Sequence, residues 1–173
     1  MKIKTIKLYE FSELSETAKE KAIENLRDIN VGYDWWECTY EDAENIGLKI
    51  NGFDLDGHRY CDAQYIEDAC YTAYKIKAKH GENCETYKDA VNFLKERDET
   101  VNSAVKDENG DFENEYELDK KLDAIEYEFL KTLQEDYSIL LQKEYEYRIS
   151  KEAIKETIEA NEYTFTENGE LEN

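Results

Sequence analysis

The chain has 173 residues, 43 acidic against 22 basic, for a net charge of −21, with 40% apolar and 13% aromatic side chains. That apolar content suffices to bury a core, so the acidity does not signal disorder. A negative excess of this size, with no basic patch to offset it, argues against direct binding of nucleic acid or an anionic membrane and favours a basic protein surface as partner.

No stretch approaches the ~18 apolar residues of a membrane span, and Met1-Lys2-Ile3-Lys4 leads into an alternating segment unlike a signal peptide; the expectation is a cytoplasmic protein. Four cysteines (Cys38, Cys61, Cys70, Cys84) then read as reduced thiols. Salt adaptation would favour Asp and deplete Lys, whereas here Glu and Lys are abundant, so the acidity is not that of a halophile. Length predicts a single domain over 1–173, fraying at 167–173.

Lys2 to Tyr9 alternates as an edge strand, its lysines discouraging strand-to-strand association. Ser15 caps a helix to about Ile29 with an inner stripe of Ala18, Ala22, Leu26 and Ile29. Asp34 and Glu37 form a capping box for a second helix, in which Trp36, Tyr40 and Ala43 face inward and Gly47 ends it. Of the pair Trp35-Trp36, the second is the one expected in the core.

Leu48 to Leu55, bulging near Gly52, and His58 to Tyr65 make a hairpin, with Asp56-Gly57 as a two-residue turn. A third helix over 66–80 carries Glu67 and Asp68 at its start and Lys75, Lys77, Lys79 and His80 at its end, matching the helix dipole. Thr86 and Asp89 open a fourth, with Tyr87, Val91, Leu94, Val101 and Val105 on one side. A long helix over about 112–147 follows, its stripe being Leu118, Leu122, Ile125, Phe129, Leu133, Tyr137, Leu140 and Leu141. Ser150 caps a last helix, and Tyr163-Thr164-Phe165-Thr166 is a final strand able to pair with the first. The fold class expected is α+β: a small antiparallel sheet of about three or four strands covered by helices.

Catalytic and metal-binding patterns are weak. His58-x-x-Cys61 with His80-x-x-x-Cys84 has the ligand types for zinc, but residues three apart on a strand leave opposite faces, so ordinary core cysteines and a helix-ending His80 are the simpler account. Asp107, Asn109 and Asp111 alternate like the start of a calcium loop, yet Phe112 replaces the glycine of the turn and Leu118 the closing glutamate. Asp119-Lys120-Lys121 lies on a helix away from Asp54 and Asp56, and no phosphate loop, nucleophile elbow or paired-cysteine motif occurs. Neither histidine sits beside a plausible nucleophile in sequence. The expectation is a protein that is not an enzyme and takes no cofactor or metal.

One segment stands out. Asp107, Glu108, Asp111, Glu113, Glu115, Glu117, Asp119, Asp123, Glu126 and Glu128 face only Lys120 and Lys121, and Tyr116 and Tyr127 lie among them. A solvated helix face is the ordinary reading of such a run. The sharper one is a partner-binding site, because closely spaced carboxylates resemble a phosphate backbone and tyrosine is common at interface hot spots.

Leu14 to Ala22, Tyr33-Asp34-Trp35-Trp36-Glu37, Phe53-Asp54-Leu55-Asp56, Gly81 to Tyr87, Gln142 to Tyr147 and Glu159 to Thr166 together carry a likeness that spans nearly the whole chain. On these segments the chain resembles a family of small acidic proteins encoded by bacteriophages and other mobile elements of anaerobic gut bacteria, some of them labelled antitoxins. The resemblance implies a phage accessory protein acting in the host cell. With the charge, it leads to the expectation of an inhibitor that fills the basic nucleic-acid groove of a host nuclease or CRISPR effector; the alternative is an antitoxin that binds a cognate toxin. The apolar stripe of the long helix serves a monomer or a homodimer equally well.

Overall fold

In the computed structural model, residues 6–172 are described. In chain order they form β1 (Tyr9–Glu10), a 3-10 turn (Phe11–Glu13), α1 (Glu16–Asn25), α2 (Glu37–Asn45), β2 (Leu48–Asp54), β3 (Tyr60–Tyr65), α3 (Ala69–Lys79), α4 (Glu85–Ser103), α5 (Glu115–Arg148), α6 (Lys151–Ala160), β4 (Thr164–Phe165) and β5 (Leu171–Glu172). The class is α+β, and the described strands make two small antiparallel sheets, one of three strands and one of two. The chain falls into two compact units, Trp36–Gln142 and the two flanking segments Met1–Trp35 and Lys143–Asn173.

In the flanking unit, β1 pairs with β4 (Tyr9 opposite Phe165) and β4 with β5 (Phe165 opposite Leu171). The first and last expected strands therefore meet, although Lys2, Ile3 and Lys4 lie outside the described residues. Phe11, Leu14, Ala18, Ala22, Ile154, Ile158 and Phe165 form the core, with the Phe11 and Phe165 rings edge to face at 6.1 Å. Both serine caps form: Ser15 Oγ accepts from the Ala18 amide at 3.3 Å and Ser150 Oγ from the Ala153 amide at 3.2 Å. Each satisfies an amide that the first helical turn leaves unpaired.

The expected frayed tail is instead a turn and a strand. Gly169 turns the chain at φ +77°, and a Cβ there would overlap the Ala18 carbonyl oxygen, so the close approach needs glycine twice over. Trp35, not Trp36, is the buried tryptophan; its ring lies 5.8 Å from that of Tyr145, while Trp36 is half-buried in the other unit against Phe53. Asn30 is buried and satisfied, its Nδ2 donating to the Arg148 carbonyl and its Oδ1 accepting from Thr157 Oγ1.

In the central unit, β2 and β3 pair from Leu48–Tyr65 to Asp54–Tyr60, with the expected bulge between Ile50 and Gly52. Leu48, Ile50, Cys61 and Ala63 point inward and their neighbours Lys49, Asp62 and Gln64 outward, the alternation of a sheet with one wet face. The connection is longer than the predicted two-residue turn: Leu55 to Arg59 are outside the ladder, and the Asp54 carboxylate folds back to accept from the Asp56 amide at 2.7 Å. Two bonds tie this hairpin to α5, Tyr65 Oη donating to the Glu126 carbonyl at 2.9 Å and Gln134 Nε2 to the Ala63 carbonyl at 2.9 Å.

Helix α3 buries Ala69, Thr72, Ala73 and Ile76, the spacing of one helical face, and is capped by Asp68, whose Oδ1 accepts from the Tyr71 amide at 2.7 Å. Helix α2 lacks the predicted capping box: it starts after Trp36, and no side chain caps it. Helix α4 buries Thr86, Ala90 and Phe93, leaving Tyr87, Val91, Leu94 and Val101 at half-buried margins. Phe93 stacks on Phe129 of α5 at 4.3 Å with planes 10° apart, and Leu133, Tyr137 and Leu141 continue the buried side of α5.

Candidate partner-binding surface

Between α4 and α5 the chain makes a tight loop built on Asp107. Its Oδ1 accepts from the amides of Asn109 at 2.8 Å and Asp111 at 3.0 Å, and its own amide donates to the Asp111 carbonyl at 2.8 Å. Gly110 takes the positive φ of +89° that the turn requires, and Lys106 and Phe112 form a bridge at its base. The acid–Asn–acid alternation is thus turn chemistry. The Asp111 and Asn109 amides hold the Asp107 carboxyl below the usual range, with its Oδ1 serving the backbone of the turn.

Asn114 then opens α5. Its Oδ1 accepts from the Glu117 amide at 3.3 Å and its carbonyl from the Leu118 amide at 3.1 Å, while Glu115 and Glu117 occupy the first turn. Carboxylates there also complement the positive end of the helix dipole, which gives two of the acids a local reason to exist.

Of the twelve residues singled out in the sequence, Asp107, Glu108, Asp111, Glu113, Glu115, Tyr116, Glu117, Asp119, Asp123, Tyr127 and Glu128 are exposed. Glu126 is the exception. It is half-buried beside Arg97 of α4, at 3.8 Å, and its backbone carbonyl holds Tyr65, so it belongs to the packing of the unit.

Four residues advance a helix by ~6 Å with a small rotation, so Glu115, Asp119 and Asp123 form a row. Tyr116 and Tyr127, 75% and 63% exposed, return to the same side of the helix beside that row. Glu117 and Glu128 lie round the other flank, so the acids wrap the solvent side and do not form one flat strip.

A groove of about 490 Å³ lies where α4, the loop and α5 meet, and its lining includes Val105, Phe112, Glu113, Glu117, Leu118 and Lys121. Val105, expected in the α4 stripe, is instead 64% exposed, because the helix ends at Ser103 and Ala104 turns extended.

The other residues weighed in the sequence separate. Cys61 is buried on β3 while His58 lies in the exposed loop before it, and no group of three or more His, Cys, Asp or Glu able to hold a metal occurs among the described residues. Burial and the charge of Asp62 push the Cys61 thiol up to about 11.

His80 does more than end α3. Its Nε2 lies 3.7 Å from Asp42 of α2, whose other oxygen accepts from buried Tyr137 Oη at 2.7 Å. His80 holds the Asp42 carboxyl below its ordinary value, and Asp42 raises His80 in turn. Cys84, four residues on in the sequence, adds a smaller upward push to His80. Burial opposes ionisation of Cys84, but the Thr86 hydroxyl, 3.6 Å from Sγ, and the Thr86 and Tyr87 amides hold its pKa below the usual value. The sequence brings only His80 and Cys84 together, four residues apart; Asp42 and Tyr137 arrive from α2 and α5, which no local pattern encodes.

Among the described residues no helix is long and apolar enough to cross a membrane. No protein-family profile matches the chain, and neither curated proteins nor solved structures include a match.

Proposed function

We propose that this chain is a non-enzymatic phage accessory protein that inhibits a host nucleic-acid-targeting defence, an anti-CRISPR or anti-restriction activity, by occupying a basic nucleic-acid groove with its acidic surface. One observation carries the reading: carboxylates and exposed tyrosines interleave along the head of α5 and the loop before it, on a frame fixed by its own hydrogen bonds. Glu115, Glu117, Asp119, Asp123 and Glu128 put five exposed carboxylates on about 20 Å of helix, roughly one per 4 Å, against one phosphate per ~3.4 Å of a single DNA strand. Lys120 and Lys121 soften that field locally. Tyrosine adds apolar contact area that charge alone lacks.

Affinity capture from host lysate at low and high salt tests the reading. The expected result is retention of a nuclease or CRISPR effector that weakens as salt rises, since exposed charges are screened. Replacing Glu113, Glu115, Glu117 and Asp119 with Lys is expected to abolish capture and inhibition while leaving the fold intact, with a modest drop in melting temperature because Glu115 and Glu117 sit in the first turn of α5. Inhibition that survives both changes overturns the proposal, and salt-insensitive retention of one small toxin selects the antitoxin alternative.

A further inference from the structure

The groove at the head of α5 combines two features that the charge of the segment does not require. Val105, Phe112 and Leu118 give it apolar surface, and Glu113 and Glu117 give it carboxylates. Val105 is 64% exposed, an aliphatic side chain left in water among acids. The surround is held in place before any partner arrives: Lys106 bridges Phe112, the Glu113 amide donates to the Val105 carbonyl at 3.0 Å, and Asp107 fixes the turn. A cation already rests near the aromatic ring, Lys106 Nζ lying 4.8 Å from the Phe112 centroid.

We infer that this groove seats one arginine side chain of the basic partner, its aliphatic stem on Val105 and its guanidinium at the Glu113 and Glu117 carboxylates. Arginine fits the mixture of surfaces better than lysine does. Its guanidinium is planar, weakly hydrated and able to give two parallel hydrogen bonds to a carboxylate, whereas an ammonium is a strongly hydrated point charge. Its methylene stem covers apolar surface while the charged head stays with the acids. Lys121 lines the same groove and its charge opposes any entering cation, so the paired hydrogen bonds of a guanidinium to a carboxylate must outweigh that repulsion. The inference rests on the proposed binding of a basic surface and adds which residue of that surface is read.

The test titrates the full chain, carrying labelled Val and Leu methyl groups, with an arginine–glycine peptide and a lysine–glycine peptide of equal length. The expected result is saturable shifts of the Val105 and Leu118 methyl signals with the arginine peptide, and at least about fivefold tighter binding of it than of the lysine peptide. Val105→Ser, at an exposed position, and the double variant Glu113→Gln, Glu117→Gln are each expected to remove most of that preference while unfolding at the wild-type temperature. If the arginine peptide binds in a salt-sensitive way but Val105 does not shift and both variants keep the preference, the groove is not the seat, and the broader acidic-surface reading stands. If neither peptide binds at any salt concentration, both fall together.

Discussion

Within α5, the head from Glu115 to Glu128 and the stretch from Phe129 to Leu141 draw on the same residue types and put them to opposite uses. In the head, Tyr116 and Tyr127 stand in solvent and the carboxylates other than that of Glu126 are exposed. In the following stretch, Tyr137 is buried with its hydroxyl on Asp42, and Asp136 is half-buried. Burial pushes the Asp136 carboxyl up, against the help of the Thr86 hydroxyl. The difference follows from what packs alongside. From Phe129 onward α4 and the β2–β3 hairpin close on the helix through Phe93 and the Gln134–Ala63 bond, so a polar group is costly without a partner: Tyr137 has Asp42, whereas the buried Asp136 Oδ2 has no hydrogen-bond partner among the described residues. In the head only one side is buried, at residues such as Leu118, and the other is free to carry charge.

Mutations should divide along the same line. The largest effect is expected for Phe129→Ala, which removes the ring stacked on Phe93 and should cost about 3–5 kcal/mol in a urea melt. Tyr127→Ala in the head should stay within about 0.5 kcal/mol, and comparable losses at the two sites would erase the comparison.

Next is Tyr137→Phe, which keeps the ring and deletes the hydrogen bond to Asp42. About 1–2 kcal/mol is expected, and a variant as stable as the parent would show that this bond does not hold α2 to α5.

The smallest effect is a pH dependence centred on His80 and Asp42. His80 is raised from 6.5 in the fold, so its contribution is complete below pH 6.5 and lost as pH rises through the folded value. Asp42 is lowered from 3.8, so its contribution is present above pH 3.8 and lost as pH falls through the folded value. The stability gap between wild type and His80→Gln should therefore be widest between pH 3.8 and 6.5, and should narrow in alkali. Solvent screening of the half-exposed pair keeps the pH-dependent part below about 1 kcal/mol. A gap that does not change with pH would make His80 a packing residue only.

Much of this architecture could be read locally. Ser15 and Ser150 cap where the sequence places caps, whereas Asp68, expected inside the first turn of a helix from Ile66, is itself the cap of one that starts at Ala69; the β2–β3 pairing with its bulge follows from alternation interrupted by Gly52. What failed did so because distant residues decide it. Trp35 is buried because Tyr145, far along the chain, lies against it, and no periodicity around Asp34 encodes that. Val105 continued the helical spacing on paper, but α4 ends before reaching it. The exposure of the acidic run was legible from its charge, whereas the role of Glu126 depended on Arg97 and Tyr65 arriving from α4 and β3.

The pairing of β1 with β4 has a consequence for how the molecule is made. Tyr9 leaves the ribosome long before Phe165, its partner across the sheet, so the flanking unit cannot close until Phe165 has been synthesised. Trp36–Gln142 form an uninterrupted stretch that has all its internal partners as soon as it emerges. The central stretch is therefore free to assemble first, whereas Phe11 and Leu14 lack their core partners on α6 and β4 until those are synthesised.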